Sequence, residues 1–292
     1  MQTIDPKKLP IPKLFGLLTG AVGPRPIAFA STVDADGRVN LAPFSFFNVF
    51  GANPPILVFS PSRSGRDNST KHTLDNVLEV PETVINMVDY KMVQQMSLAS
   101  TAYAKGINEF TKSGLTELPS DTVKPPRVAE SPVQFECKVI EVKALGDQGG
   151  AGNLVICEIL RIHIDPAILD DKGGIDPMKM DQVARMGGNW YSRANQGLFE
   201  VPKPVAQTGI GIDQIPEAIK LSSVLTGNDL GMLGNVEQLP TKSEVQDFVN
   251  ENIAIRSLLS TADTLQIHKK AQEFLGAKNV DNAWKVLLAQ QE

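Results

Sequence analysis

RPIAFASTVDADGRVNLAPFSFFN, at residues 25–48, is the stretch of this sequence that decides the fold. Residues 27–33 form an apolar run of strand-favouring residues, and residues 39–42 resume the same extended pattern. Between them, Asp-Ala-Asp-Gly at residues 34–37 supplies side chains that are common in tight turns, with a glycine that tolerates a positive φ. The stretch therefore predicts a β-hairpin.

The hairpin is rich in short polar side chains. Ser31, Thr32, Asn40, Ser45 and Asn48 are interleaved with alanine, phenylalanine and proline. Hydroxyl and amide groups of this kind could hydrogen-bond to the edge of a flat heteroaromatic ligand. The alternative is that they satisfy backbone groups of the hairpin itself, and the residue pattern alone favours that alternative.

A polar loop follows the short strand expected at residues 56–59. Residues 60–71, SPSRSGRDNSTK, contain four serines, one threonine, two arginines and one lysine. Directional donors and positive charge in this combination suit a phosphate ester. A solvated, flexible loop would have a similar composition, and composition alone favours the solvated loop.

A third candidate segment is RMGGNWY at residues 185–191. The paired glycines, Gly187 and Gly188, permit close backbone approach, while Arg185 and two aromatic side chains project from the same loop. The aromatic residues could cover a flat ligand or pack the loop.

Eight motifs occur along the chain in a fixed order. They are R-P-I-A-x-x-S-T and G-x-x-N-x-A-P-F-S-x-F-N in the hairpin, N-P-P at 53–55, K-H-T at 71–73, E-F-x-x-x-G-L-T at 109–116, P-P-R-V-A-E-S-P at 125–132, E-C-K at 136–138 and R-x-G-G-x-x-Y at 185–191. In these motifs, residues 10–205 resemble the flavin reductase-like family of the FMN-binding split-barrel superfamily, which includes flavoredoxin-like proteins.

The resemblance implies a mainly β protein, a Greek-key split β-barrel with peripheral helices. It implies an FMN-binding oxidoreductase that transfers hydride from NADH or NADPH to flavin, acting as a homodimer with FMN near the interface. The alternative is a flavoredoxin-like FMN electron carrier that serves a protein partner. Either activity leaves the redox chemistry to the cofactor, so we predict neither a catalytic acid–base residue nor a metal site.

The resemblance also assigns cofactor-binding residues. The predicted set is Ser31, Thr32, Asn40, Ala42, Pro43, Ser45, Asn48, Ser60, Arg63, Lys71, Thr73, Arg185, Gly187 and Gly188. In relatives, the segment that corresponds to Lys71 and Thr73 holds the FMN phosphate. Relatives commonly have aspartate where this chain has His72, and we leave His72 out of the set.

Composition limits the other partners. The 292 residues include 28 basic and 33 acidic side chains, a net charge of −5, so no global field attracts nucleic acid or an anionic membrane. No apolar run reaches the length of a transmembrane helix. Cys137 and Cys157 lie in apolar strand-like runs without metal-ligand spacing, which predicts buried free thiols and is compatible with a cytoplasmic protein.

Apolar periodicity predicts the remaining elements of the first 205 residues. Met92, Met96, Ala99 and Tyr103 recur at helical spacing between residues 89 and 104, which predicts a helix whose methionines pack in the core. The parity of the apolar positions slips along residues 133–144, which predicts a β-bulge near Val139. His163, in the next predicted strand, is expected to be buried or to make a structural hydrogen bond.

The residue pattern changes from strand-like to helical after residue 205, so we predict a domain at 1–205 and a helical extension at 206–292. Thr241 and Glu244 have the spacing of a capping box. Residues 265–275 give a helical pattern, and residues 280–288 carry an apolar stripe at helical spacing. Dimer bracing, covering of the site and partner docking are all open as roles for this extension.

Overall fold

The computed structural model describes residues 1–204 and 208–290. The chain divides into two compact units, residues 1–199 and residues 200–292. The predicted boundary at residue 205 lies outside the described residues. Within residues 1–204 and 208–290, no helix has the length and hydropathy to cross a bilayer.

The first α-helix of the first unit is α1 (Ile11–Ala21), which is followed by the predicted hairpin. Strands β1 (Ala28–Val33) and β2 (Val39–Phe44) pair antiparallel. In the turn, one carboxylate oxygen of Asp34 accepts hydrogen bonds from the backbone N–H groups of Asp36 and Arg38. Gly37 has a φ of +80°, a conformation that costs glycine little. The hairpin is confirmed.

The remaining elements of the first unit form the rest of a barrel and its surroundings. In chain order they are β3 (Phe47–Ala52), β4 (Pro55–Phe59), α2 (His72–Glu79), β5 (Glu82–Asn86), α3 (Val93–Ala99), α4 (Glu109–Ser113), β6 (Glu117–Leu118), β7 (Arg127–Val128), β8 (Val133–Ala144), β9 (Asn153–Ile164), α5 (Pro177–Met180), β10 (Val183–Arg185) and β11 (Tyr191–Arg193).

Seven strands form one antiparallel sheet in the order β2-β1-β5-β8-β9-β4-β3. The two outermost strands, β2 and β3, are consecutive in sequence and are separated only by Ser45 and Phe46. Two edges joined by so short a link must lie close together, so the sheet curls into a barrel that is split at this bend. The predicted split barrel with peripheral helices is confirmed.

The curled sheet is buried on both faces at β1. Ala28 and Ala30 face the barrel interior with Phe59 and Cys137, and α2 contributes Leu74 to the same cluster. Side chains of the opposite parity on the sheet pack outside against α3 and α4. This double burial explains the continuous apolar run at the start of the hairpin.

The outer cluster contains the methionines that recur at helical spacing. Met92, Met96 and Ala99 are buried there, so their predicted packing role is confirmed. Helix α3 is shorter than the predicted residues 89–104, because the hydroxyls of Ser100 and Thr101 bond to the carbonyls of the last helical turn.

Strands β8 and β9 form the longest pair of the sheet. The register shifts between Val139 and Glu141, which confirms the predicted bulge, and it shifts again between Glu136 and Cys137. Both cysteines are buried and free, as predicted. Burial raises the pKa of Cys157 to about 12, so this thiol stays protonated and unreactive.

The second unit is helical. Its helices are α6 (Glu217–Lys220), α7 (Gly227–Gly234), α8 (Lys242–Glu251), α9 (Ile253–Thr261), α10 (Thr264–Gly276) and α11 (Val280–Ala289). Thr241 and Glu244 form the predicted capping box at the start of α8. The predicted apolar stripe lies on α11, where the buried Trp284 donates from Nε1 to the carbonyl of Leu233 at 3.0 Å.

A buried histidine makes the stability of this helical unit depend on pH. His268 is 3% exposed, and its Nδ1 lies 2.7 Å from the hydroxyl oxygen of Ser222. That oxygen already accepts hydrogen bonds from the backbone N–H groups of Val224 and Leu225. The hydroxyl hydrogen of Ser222 must therefore point to Nδ1 of His268, and Nδ1 has to be unprotonated to accept it. Burial lowers the pKa of His268 from its usual 6.5.

Because the folded state prefers the neutral imidazole, the unfolded state binds more protons below the ordinary pKa. We expect the free energy of unfolding of this unit to fall as the pH decreases below 6.5. Urea unfolding at a series of pH values, followed by hydrogen exchange of α10 and α11, measures the effect. The variant His268→Gln should lose this part of the pH dependence, and an unchanged slope in the variant would refute the assignment.

Candidate functional site

A cavity of about 620 Å³ lies between the end of the β1–β2 hairpin, helix α3 and the β10–β11 hairpin. This volume is in the range of small-molecule sites, which is roughly 300–1,000 Å³. Its walls include Pro43, Ser45, Ser97, Arg185, Asn189 and Tyr191. None of the described lining residues carries an acidic side chain. The cavity therefore offers flat apolar surfaces, hydroxyl and amide groups, and a single positive charge.

That positive charge belongs to Arg185. Its guanidinium lies over the ring of Tyr191, at 4.6 Å from the ring centroid. Among residues 1–204 and 208–290 it makes no ion pair. The neighbouring guanidinium of Arg25 is close enough for its pKa to be lowered, first by burial and second by the charge of Arg185. Two arginines without a carboxylate make this wall of the cavity attractive to an anion.

The loop after Arg185 packs directly on helix α1. A Cβ placed on Gly187 would lie 3.0 Å from the Cα of Gly20, and Gly188 has a φ of +59°. Both positions thus favour glycine for reasons of the backbone itself. Their predicted contact with a cofactor stays a prediction.

The polar residues at the other end of β2 form a buried network. The hydroxyl of Thr32 accepts from the side-chain amides of Asn40, at 3.4 Å, and Asn76, at 3.1 Å. Asn40 also donates to the hydroxyl of Thr73 at 2.9 Å. Ser31, on the other face of β1, donates its hydroxyl to the carbonyl of Pro126. In the single chain Thr32, Asn40, Thr73 and Asn76 satisfy one another, and the partner of Ser31 is a carbonyl outside the hairpin.

The polar loop at residues 60–71 is ordered by its own hydrogen bonds. Arg63 donates to the side-chain oxygen of Asn68 at 2.7 Å and to its carbonyl at 2.8 Å. The hydroxyl of Ser60 accepts from the backbone of Asn153. Lys71 is exposed at the N-terminus of α2, and its ammonium group has no partner among the described residues. Of the predicted phosphate ligands, Lys71 is the cation that remains available.

The structure thus separates the predicted site residues into groups. Pro43, Ser45 and Arg185 line one cavity, whereas Thr32, Asn40 and Thr73 share the buried network. Ser60 and Arg63 belong to the loop after β4. Ala42 packs against the barrel core, and Asn48 is exposed on β3, where its side-chain oxygen accepts from the next backbone N–H.

The cavity and the α2 end of the network lie along the same strand. Asn40 stands near the start of β2, and Ser45 follows its last residue. Five residues of extended chain span about 17 Å at about 3.4 Å per residue. An elongated ligand with a flat ring in the cavity and an anionic end near Lys71 would follow β2 along its length.

A second polar cluster was not assigned by the sequence analysis. The carboxylate of Glu136 is fully buried and accepts from the backbones of Asp121 and Thr122, the hydroxyl of Thr122 and Nε2 of His163. Burial raises the pKa of Glu136, but these hydrogen bonds outweigh it and hold the pKa at about 2. The expected structural hydrogen bond of His163 is confirmed.

This cluster also groups potential metal ligands, since ligand atoms of Asp121, Glu136 and His163 lie within 4.8 Å of one another. Both oxygens of Glu136 are already used by protein donors, and Arg127 lies 3.8 Å from one of them. A metal ion would have to displace those donors and lie beside a guanidinium. We therefore assign the cluster a structural role, in which it holds the segment before β7 in place.

Comparison with known proteins identifies the family. The model of the flavin reductase like domain matches residues 22–178, more than half of the chain. An uncharacterized protein from Halalkalibacterium halodurans is 36% identical over 203 residues, which cover 69% of this chain and 96% of that protein.

Two solved structures share the fold. Component B of nitrilotriacetate monooxygenase from Bacillus cereus is 28% identical with a TM-score of 0.65, covering 69% of this chain and 98% of its own. A split-barrel protein from Shewanella frigidimarina, assigned as a flavin reductase, is 27% identical with a TM-score of 0.58, covering 68% and 96%. The motifs, the split barrel and these matches agree, and the chain belongs to the flavin reductase-like family.

Proposed function

We propose that this protein is an FMN-dependent oxidoreductase that takes hydride from NADH or NADPH. The observation that carries the proposal is the acid-free cavity at the end of β2, with the unpaired Arg185 on its wall. Family membership supplies the flavin chemistry, and the cavity supplies a place where this chain's side chains suit a flavin.

The residues present fit the chemistry of FMN. Pro43 and Tyr191 offer flat surfaces to a ring system, while Ser45 and Arg185 offer donors to its polar edge. Lys71, at the N-terminus of α2, offers a cation to a phosphate. When bound, FMN would supply the ring that accepts the hydride.

The tasks left to the protein are therefore orientation and electrostatics. Arg185 and Ser45 would stabilise negative charge at the polar edge of the ring, because donors fixed in advance lose little free energy to reorganisation. The wall formed by α3 would exclude water from one side of the cavity. Hydride transfer between two cofactors requires no protein acid or base.

The test begins with the purified protein. We expect FMN titration to saturate with quenching of flavin fluorescence, and FAD to bind more weakly because its phosphate is esterified on both sides. Stopped-flow mixing of the FMN complex with NADH or NADPH should bleach the flavin absorbance. A protein that binds no FMN and oxidises neither nicotinamide would contradict the proposal.

The same experiment separates the reductase from an electron carrier. Flavoredoxin from Desulfovibrio vulgaris shares the fold, at 24% identity and a TM-score of 0.54. A flavin that ignores both nicotinamides but is reduced rapidly by a low-potential donor would assign this chain as a carrier for a protein partner.

We further propose that the protein acts as a homodimer with FMN near the interface. An aromatic patch, formed by Phe15 on α1, Phe46 at the bend and Val49 and Phe50 on β3, supports this. Val49 and Phe50 are 61% and 68% exposed, and the rings of Phe15 and Phe46 lie 6.0 Å apart. The patch begins directly after Ser45 on the cavity wall. A second copy that covers the aromatic patch would bury apolar surface and border the cavity.

The variant Phe50→Asp should convert the dimer to a monomer, because an interface that buries an unpaired carboxylate is strongly disfavoured. Light scattering coupled to size-exclusion chromatography measures the mass directly. Ile253→Asp, which changes an even more exposed apolar residue on α9, should leave the mass unchanged. A monomeric wild type, or a dimeric Phe50→Asp variant, would rule out this patch as the interface.

A further inference from the structure

Arg25 is a buried arginine that lacks an acidic partner among residues 1–204 and 208–290. Its side chain is 7% exposed. Its guanidinium donates to the carbonyls of Thr19 at 2.6 Å, of Val22, and of Met186 at 3.0 Å. A longer contact of 3.5 Å joins its Nε to the hydroxyl of Ser45. A buried cation is costly unless its donors are satisfied, and here carbonyl oxygens satisfy them.

These acceptors come from three separate segments. Thr19 belongs to the last turn of α1, where a cation is favoured by the helix dipole. Met186 begins the glycine loop after β10, and Ser45 is the bend between β2 and β3. The planar fork of one guanidinium therefore ties together α1, the glycine loop and the bend.

The backbone strengthens the same connection. The N–H of Arg25 donates to the carbonyl of Arg185 at 2.9 Å, and the N–H of Arg185 donates back to Arg25 at 2.8 Å. Arg185 and Ser45 line the cavity, whereas Arg25 does not. Arg25 thus acts from behind the wall, on the two residues that present donors to the cavity.

We propose that Arg25 is a positioning residue of the flavin site, which holds Ser45 and Arg185 in place and adds a second positive charge behind them. This inference rests on the proposed binding of FMN in the cavity. Positive charge behind the wall stabilises the reduced, more negatively charged flavin more than the oxidised form. Arg25 therefore raises the reduction potential of the bound flavin as well as its affinity.

Two variants separate the charge of Arg25 from its shape. Arg25→Gln removes both the positive charge and the planar guanidinium. Arg25→Lys keeps the charge but cannot satisfy three carbonyls with the same planar geometry. Arg193→Gln is the matched control, because Arg193 lies in the β10–β11 hairpin but pairs with Asp181 at 2.6 Å and does not line the cavity.

The first measurement is the reduction potential of bound FMN, with the dissociation constants of its oxidised and reduced forms. In Arg25→Gln, we expect reduced FMN to lose at least tenfold more affinity than oxidised FMN, which lowers the potential by about 30 mV for a two-electron couple. Arg25→Lys should restore most of the potential, and Arg193→Gln should retain it. A wild-type potential in Arg25→Gln would overturn the proposal.

The second measurement is hydrogen exchange without FMN. Both Arg25 variants should exchange faster than wild type at residues 186–190 and at the end of α1, and Arg193→Gln should not. If only Arg25→Lys folds, unchanged exchange in that variant overturns the proposal. A wild-type protein that binds no FMN would refute the proposed function and this inference together, whereas FMN binding that is indifferent to Arg25 would refute this inference alone.

Discussion

Arg185→Gln is expected to weaken the binding of FMN at least tenfold while leaving the fold intact. A hydrogen bond from a charged group contributes about 1.5–3 kcal/mol, and about 1.4 kcal/mol corresponds to a factor of ten in affinity. Arg185 has no carboxylate partner among the described residues, so its removal leaves no acid unpaired. Within the described part of the chain, the side-chain interaction that is lost is the stacking on Tyr191, worth roughly 0.5–1 kcal/mol at an exposed site.

Fluorescence titration with FMN at low and high salt tests this expectation. The loss of FMN affinity in Arg185→Gln should be largest at low salt, since an electrostatic contribution is screened as the ionic strength rises. Arg161→Gln is the control, because Arg161 pairs with Asp121 on the surface, outside the cavity. Equal FMN affinities for wild type and Arg185→Gln would remove Arg185 from the site.

Glu136→Gln is expected to lower the free energy of unfolding of the barrel by about 3 kcal/mol. Removing one partner of a buried ion pair costs about 3–5 kcal/mol, and the neutral amide relieves part of that cost by staying uncharged. Its NH₂ group would face donors of Asp121, Thr122 or His163 that now bond to a carboxylate oxygen. Urea unfolding gives the difference in the free energy of unfolding.

The contribution of the Glu136 carboxylate to the free energy of unfolding should decrease as the pH falls. Its pKa is about 2 in the folded protein, below the ordinary 4.5. The carboxylate therefore contributes its full stability above 4.5 and loses it as the pH falls towards 2. Wild type and Glu136→Gln should converge in stability across that range. Glu141→Gln, an exposed change on the same strand, should stay within about 0.5 kcal/mol of wild type.

The local structure of the hairpin could be predicted because it depends on neighbours in sequence. Turn residues at 34–37 and strand-favouring residues on either side give the hairpin without further information. The bulge near Val139 could also be predicted, because the alternation of apolar and polar residues shifts by one position where the strand gains a residue. The buried Met92 and Met96 followed from helical spacing alone.

The orientation of the hairpin's polar groups depends on distant parts of the chain. Thr32 and Asn40 face α2 because the sheet closes and places that helix against them, and nothing within the hairpin encodes this. The cluster around Glu136 has the same origin. Its members at residues 136 and 163 meet because β8 and β9 pair with Gln134 opposite His163, and residue 121 comes from the segment before β7.

Arg25 shows most clearly what could not be predicted from the sequence. It opens the motif that suggested the family, yet the sequence gives no sign that its partners are carbonyl oxygens of α1 and of a loop 161 residues away. A buried arginine normally suggests an acidic partner, and a search of the sequence for that partner would have failed.

The two-residue bend at Ser45 and Phe46 has a thermodynamic consequence for the assembled protein. Ser45 faces the cavity, and the next side chain belongs to the surface proposed for the second copy. A ligand that fixes one peptide unit lowers the entropy that the adjacent unit must lose when a neighbour docks. Loading with FMN should therefore tighten self-association, and by reciprocity dilution of the protein should release the coenzyme.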